Sequence, residues 1–579
     1  MSTVDAVQLV ARAVCADGSE CDAFQMTLDE SGNDVALTVV CTADEQVEAG
    51  IRVELALPPS DEPHWLIPGV FYGENRPPGC ASLYPRFVTA ATDVGLMESN
   101  AWSFRADRCA TPAVFADDTA LVTTEESALG QSGVGFAYAD GRPILRLHFP
   151  YREEPLRYDG SRTPAAADVQ TYRWSPGERA TVHFSVYRDQ PYAQVLRDVH
   201  TRAGRAPEAA WVSVEEAAKL AAWGLYWWHY KSDPPRLLET AAFDRDGIGE
   251  RGDRDAMHVS WVSGAPYAYA LLQHGRRVGN DDYVRAAESV LDHIAQNLTP
   301  GGTYWAQWTA ERGWTTGWNR DRTRLHARTL ADATLFMLRA GGRWEESARS
   351  NVSVALRTQR EDGALPAAHH VETGEAVSWE GTAGIAWIPA LVAAGHLEEA
   401  RRAGEFYEQV EHFHGAPEDV DLAPTSEDGY AALMAFVALE NWEAARRAAD
   451  WMLTFRYTYD VAFSPHTLLG RYEFRTRGAD NASPANPHLH AFGLICHPEL
   501  KALARATGDD YYLERAREQL DCFRQFIARE DGDFDAYRGM ASERYYQTDC
   551  FQAKGMLLTL SHAWSIGVLL YACEEELRA

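Results

Sequence analysis

In VSWEGTAGIAW, residues 377–387, one carboxylate stands between a tryptophan and a run of small and apolar residues. Glu380 has two readings there. Near a helix N-terminus a carboxylate is favoured by the helix dipole and needs no further role. Walled by Trp379 and Trp387, the same group has the apolar setting of a general acid. TSEDG, residues 425–429, repeats the choice: Thr425 or Ser426 caps a helix, and Glu427 and Asp428 suit its first turn on electrostatic grounds alone. The further carboxylates that precede apolar runs are Asp253, Asp255, Asp480, Glu543 and Asp549.

Other reactive types gather at the same places. His258, His326, His488, His490 and His562 each stand at the start of an apolar run. Neither their spacing nor that of HFH (412–414) and His497 matches a zinc pattern, so hydrogen bonding is expected and no metal or other cofactor. DGDFD (531–535) lacks the glutamate of an EF-hand loop and reads as a solvated turn. GGTYWAQWTAERGWTTGWNRD (301–321) is crowded with rings, Tyr304, Trp305, Trp308, Trp314 and Trp318, which either stack on a ligand or pack their own loop. Arginines are dense at 320, 322, 324 and 328 and at 471, 475, 477 and 544; their forks bind carboxylates, of a ligand or of neighbouring residues.

The elements that must position these groups fall into two classes. To about residue 200 the pattern has period two: ILRLHF (144–149), ATVHFSVY (180–187), VALTVV and IRVELALP, separated by turns such as SGND, ADGR and SPGER. A β-sandwich-like domain is expected over 1–205. TRAGRAPEAAW (201–211) marks a boundary, and 206–579 is helical. Amphipathic helices are expected at 214–230, 281–297, 342–358, 397–412, 440–454 and 510–528. Between them lie runs that are apolar nearly all round, at 257–272, 324–338, 377–394, 425–440, 487–506 and 560–577. Six such pairs are an internal repeat of α-hairpins. Closed into a ring, the apolar helices stand inside and their N-termini line one funnel.

On this pattern, residues 210–579 resemble the six-hairpin glycosidase superfamily, the (α/α)6-toroid glycoside hydrolases and related polysaccharide lyases. No motif narrows the family. The resemblance implies an N-terminal β-sandwich-like domain followed by a catalytic toroid with its site at the funnel mouth. With the β-domain first it favours a hydrolase, which needs two carboxyl groups about a glycosidic bond. The implied catalytic residues are Glu380, Glu427 and Asp428. Trp261, Tyr267, Trp305, Trp318, His326, Arg328, Trp379, Tyr430, Arg477, Asp480, His490 and Glu543 are the expected substrate contacts. The arginines point to a uronic-acid-containing oligosaccharide. The long loop 64–87, with Glu74, Asn75 and Arg76 at its centre, is expected to narrow one end and favour exo-action. The first alternative is a lyase or uronate epimerase drawing on His326, Arg328, Tyr267, Tyr430, Asn486, His490 and Tyr545. The second is a non-catalytic glycan-binding protein.

Composition bounds the rest. With 579 residues, 46% of them apolar, the chain has more than one core. A net charge of -30 argues against nucleic acid and against anionic membranes as partners. The N-terminus lacks a basic leader, no run reaches the length of a membrane span, and the nine cysteines are scattered; a reduced, cytoplasmic protein is expected.

Overall fold

Alternating burial builds the N-terminal domain. Strand Asp34–Cys41 turns Val35, Leu37, Val39 and Cys41 inward, and Arg142–Phe149 does the same with Leu145, Leu147 and Phe149. The computed structural model describes residues 8–578 apart from 74–98, 158–164, 205–210, 244–253, 318–320, 411–412, 417–423 and 485. An eight-stranded and a seven-stranded antiparallel sheet enclose one core that includes Leu37, Val53, Leu55, Val134, Leu147, Val182 and Phe184. The sandwich-like expectation holds, with one difference at its end. After Pro191, which offers no N–H to a sheet, the chain turns helical at α1 (Tyr192–Ala203), which buries Val195 and Leu196 against Leu66, Phe115 and Tyr187.

The remainder forms six antiparallel hairpins. The inner helices are α3 (Ala265–Val278), α5 (Ala327–Ala340), α7 (Trp387–Ala393), α9 (Ser426–Ala438), α11 (His497–Thr507) and α13 (Ala563–Arg578). The outer ones are α2 (Val214–Gly224), α4 (Asp281–Ala295), α6 (Glu345–Arg357), α8 (Leu397–Glu408), α10 (Trp442–Met452) and α12 (Asp510–Phe523). Each inner helix packs on its outer partner and on the inner helices either side, and α13 closes the ring against α3 and α2. Closure is tight: a Cβ on Gly567 would stand 2.2 Å from the Tyr267 ring. The outer helices α2, α4, α10 and α12 start on side-chain caps, Ser213, Asn280, Asn441 and Asp509. The inner ones are fed mostly by short strands, and these strands set the site.

Domain and ring are joined by buried charge. The turn 105–111 of the β-domain lies on toroid residues 454–462 and 547–554. Tyr457 donates to the Asp107 carbonyl (2.8 Å), Tyr459 to that of Ala106 (2.8 Å), and Thr458 N–H to Ala110 (2.9 Å). Arg105 forks onto Asp107 and reaches Asp549 at 2.9 Å, while Lys554 Nζ stands 3.0 Å from both Asp107 and Glu125. Burial pushes the Asp107 carboxyl up, but Arg105 and Lys554 hold it well below the usual carboxylate range. Glu125 is raised, because its burial outweighs Lys554.

Removing one partner from such a cluster strands the others. Lys554→Met is expected to lower the free energy of unfolding by about 3 kcal/mol in chemical denaturation. An unchanged midpoint would mean that the ammonium is solvated and joins nothing.

Candidate active site

Five of the six inner helices are entered from a short strand at the mouth: Ala256–His258, Arg324–His326, Ala376–Ser378, Asn486–His490 and Leu560–His562. Each pairs with a neighbouring mouth strand, as Thr240–Ala242 does with Leu560–His562. Four of the five end in histidine. The sixth helix, α9, starts instead from a capping box on Thr425.

At the centre stands Arg328, in the first turn of α5 and 4% exposed. Its guanidinium donates to Glu427 and, at 3.4 Å, to Asp332 one turn on. The rings of Trp261 and Phe492 pack on it, their centroids 4.5 and 4.8 Å from its central carbon. The carboxylates repay its desolvation and fix Glu427 in one orientation. Burial lifts Asp332 to about 6 despite Arg328.

Hydrogen-bond partners orient the histidine rings. Tyr430 donates its proton to Asp480 (2.7 Å) and Ser426 donates to the Ala482 carbonyl (3.2 Å). His490 Nε2 lies 3.2 Å from the Tyr430 hydroxyl and 3.0 Å from that of Ser426. In His562 a carbonyl fixes the tautomer. Its Nδ1–H donates to the Leu560 carbonyl (3.0 Å), so the lone pair is on Nε2, 3.4 Å from Glu543. Burial pushes His562 down to about 4, against the pull of Glu543. It also lowers His490, with Glu427, Asp480 and Glu543 pulling back. Glu543 is raised by burial but held below its ordinary value by Arg544, at 3.2 Å, and by His562. The mouth thus carries two imidazoles that burial keeps neutral, one of them, His562, beside Glu543. His258 is set differently: its Nδ1 accepts from the Ser260 N–H and its Nε2 faces Thr329 at 3.4 Å.

The expected residues separate into three groups. Trp261, Arg328, Glu427, Tyr430, His490 and Glu543 come together as above. A second group is placed elsewhere or occupied. Glu380 is exposed, because the helical turn begins only at Ala383, and the wall expected around it is not formed. Trp387 is fully buried with its ring against His369, and Trp379 is 37% exposed. Asp428 accepts from Thr425 N–H and Oγ1 and from Ala416 N–H, which makes it the partner of Thr425 in the capping box that starts α9. Asp480 is fully buried on the Arg456 fork (2.7 and 3.0 Å) with Gln519. Arg477 binds Glu518 and the Gly204 carbonyl, both at 2.7 Å, which ties α12 to the chain after α1. Tyr267 is fully buried with its hydroxyl on the Trp261 carbonyl. His326 donates Nε2–H to the Gly415 carbonyl (3.0 Å), and Trp305 is half-buried against the toroid core. The third group lies outside the described residues: Trp318, Asp253, and Glu74, Asn75 and Arg76 of the long loop. In the aromatic loop, Trp308 and Trp314 pack around His293 and Tyr304 is buried on Ser347.

Sequence reasoning overlooked a shorter repeat. LHAR, LHAF and SHAW share His-Ala-X, at 326–328, 490–492 and 562–564. The X residues Arg328, Phe492 and Trp564 all converge on Trp261, with Trp564 6.4 Å and Phe492 5.8 Å from its ring. Asp332 also left a signal, as the one acid in an otherwise apolar stretch of α5. Among the described residues, no group of three or more His, Cys, Asp or Glu is placed to hold a metal ion, and no helix is long and apolar enough to cross a membrane.

No protein-family model matches the chain, and no curated protein matches it. Among solved structures it is similar to a polysaccharide lyase, at 10% identity over 95% of this chain and 86% of that one, with a TM-score of 0.49. It is also similar to the cellobiose 2-epimerase from Spirochaeta thermophila (9% identity, 63% and 97% of the two chains, TM-score 0.42). A third is the GH76 α-mannanase from Bacteroides thetaiotaomicron (11% identity, 63% and 95%, TM-score 0.40). Likeness at these identities concerns the fold.

The burial of His562 has a consequence for stability. The unfolded chain takes up a proton at about pH 6.5 that the folded site refuses down to about 4, so this group lowers stability as pH falls through that window. Between pH 7 and pH 5 its share is about 2 kcal/mol. Denaturation of His562→Gln is expected to show a smaller loss over that interval by about this amount. An equal loss in both proteins would place the proton elsewhere.

Proposed function

We propose that the protein is a carbohydrate-active enzyme whose toroid mouth moves a proton to and from a sugar carbon next to a carbonyl or carboxyl group. This is the chemistry of epimerisation and isomerisation, and the first step of elimination. One observation carries the reading: His490 and His562 are buried and neutral at the mouth, and the Nε2 lone pair of His562 lies 3.4 Å from Glu543. In the proposed step one imidazole accepts the carbon-bound proton, and ionised Glu543 stabilises the imidazolium that forms. That imidazolium then gives the proton back to carbon or to a leaving oxygen and is neutral again, while the second imidazole orients a sugar hydroxyl. Glu427, oriented by Arg328, accepts from a substrate hydroxyl.

Arg254, Arg328 and Arg544 each face a carboxylate, Glu239, Glu427 and Glu543. That matching favours a neutral sugar over a uronate. A second reading is hydrolysis by Glu427 and Glu543 as the carboxylate pair. It is favoured by their position, both close enough to His490 to bias its titration.

The test is a panel of neutral and uronate-containing oligosaccharides, read for reducing ends, for ultraviolet absorbance of unsaturated products and for altered sugars. Altered sugars without new ends, or ends and absorbance rising together, are expected. His490→Ala and His562→Ala should each lower turnover about 10²–10⁴-fold, and Glu380→Gln should leave it unchanged. New reducing ends without absorbance, lost in Glu427→Gln and Glu543→Gln, would overturn the proposal in favour of hydrolysis.

A further inference from the structure

Outer helix α2 does not end in a simple cap. It runs into a π-helical turn, Leu225–His229, at the mouth end of the toroid wall. π-turns are uncommon and recur at functional positions. This one carries WGLYWWHY, residues 223–230, and turns its rings in two directions.

One set is structural. Trp228 donates Nε1–H to the Arg538 carbonyl (2.8 Å) and packs on Tyr537 at 5.3 Å. His229 is fully buried: its Nδ1–H donates to the Leu238 carbonyl (2.7 Å) and its Nε2 accepts from Ser561 Oγ (3.1 Å). Ser561 directly precedes His562, so the π-turn is tied to the strand that delivers a mouth histidine.

The other set faces water. Trp227 is 54% exposed. Its ring lies 5.1 Å from that of half-buried Trp223, at 40°, and Tyr226 meets it edge-on at 5.7 Å. The guanidinium of exposed Arg538 stands 5.0 Å over Trp223. An indole held open to solvent on a rigid turn costs hydration and adds nothing to the core, which marks an interaction surface. A flat, polarisable face attracts the C–H face of a pyranose ring, and a neighbouring guanidinium donates to its hydroxyls.

We propose that Trp227, Trp223 and Arg538 form an accessory subsite for a neutral glycan chain, outside the mouth and rigidly connected to it, which holds the distal sugars of a substrate whose reacting end lies in the funnel. The inference rests on the carbohydrate reading above. It adds that the preferred substrate is a chain several sugars long. The chain's net charge of -30 argues against an anionic polymer as the occupant.

The experiment uses the full chain and Trp227→Ala, whose folding is checked by circular dichroism. Binding of cellohexaose, mannohexaose and maltohexaose, and of the matching disaccharides, is measured by titration calorimetry. The expected result is hexasaccharide affinity about fivefold to tenfold lower in Trp227→Ala, with disaccharide affinity unchanged. Equal hexasaccharide affinity in both proteins would overturn the subsite while leaving the mouth's reading intact. Failure of the unaltered protein to bind any of these sugars would overturn both. A dimer in sedimentation that Trp227→Ala converts to monomer would assign the surface to a second copy of the chain and overturn the subsite.

Discussion

A buried guanidinium at the centre of the ring governs how the rest is arranged. Arg328 is held by Glu427 from α9 and by Asp332 of its own helix, and packs on the rings of Trp261 and Phe492. These residues come from different hairpins, so the charge can be matched only when the ring is closed. Closure in turn depends on small residues where inner helices meet, Gly567 against Tyr267 among them. The clamp converts a tertiary constraint into a fixed carboxylate at the mouth. It also leaves Arg328 poorly suited to capture a ligand anion, since two carboxylates already hold it.

The histidines are set by a different device. An inner helix entered from a strand has its last strand residue at the mouth rather than in the helix, and that residue's ring is then oriented by nearby carbonyls and hydroxyls. His562 leans on a carbonyl two residues back, whereas His490 leans on the hydroxyls of Tyr430 and Ser426. Asp480, fixed on Arg456, therefore acts on the mouth at one remove: it takes the Tyr430 proton and so orients the hydroxyl that faces His490. The β-domain contributes from the side, through the charged turn at 105–111, which braces the loops after α10 and α12.

Much of the architecture is legible in the residues. Period-two burial in the first 190 residues and six apolar runs alternating with six amphipathic ones are local properties, and the ring follows from their number. The chemistry is less legible, because cap and catalyst use the same residue types. TSEDG offers a capping box and an acid pair at once; the structure gives the box to Asp428 and leaves Glu427 for Arg328. Glu380 satisfies every local criterion for an acid, yet the helix begins three residues later and the group stays in water. Asp480 and Arg477 sit at long range from their partners Arg456 and Glu518 in sequence, so no spacing announces those ion pairs. The His-Ala-X repeat was present in the sequence, but only the convergence of the X residues on Trp261 gives it meaning.

Proton movement at a sugar carbon is the central claim, and solvent exchange reports it without knowledge of the final product. A sugar that the enzyme converts is incubated with the protein in heavy water, and sugar and product are analysed by proton NMR. The account predicts deuterium at one carbon, next to the carbonyl or carboxyl carbon, with the exchange lost in the His490→Ala and His562→Ala proteins. Conversion with every carbon-bound hydrogen retained would contradict it.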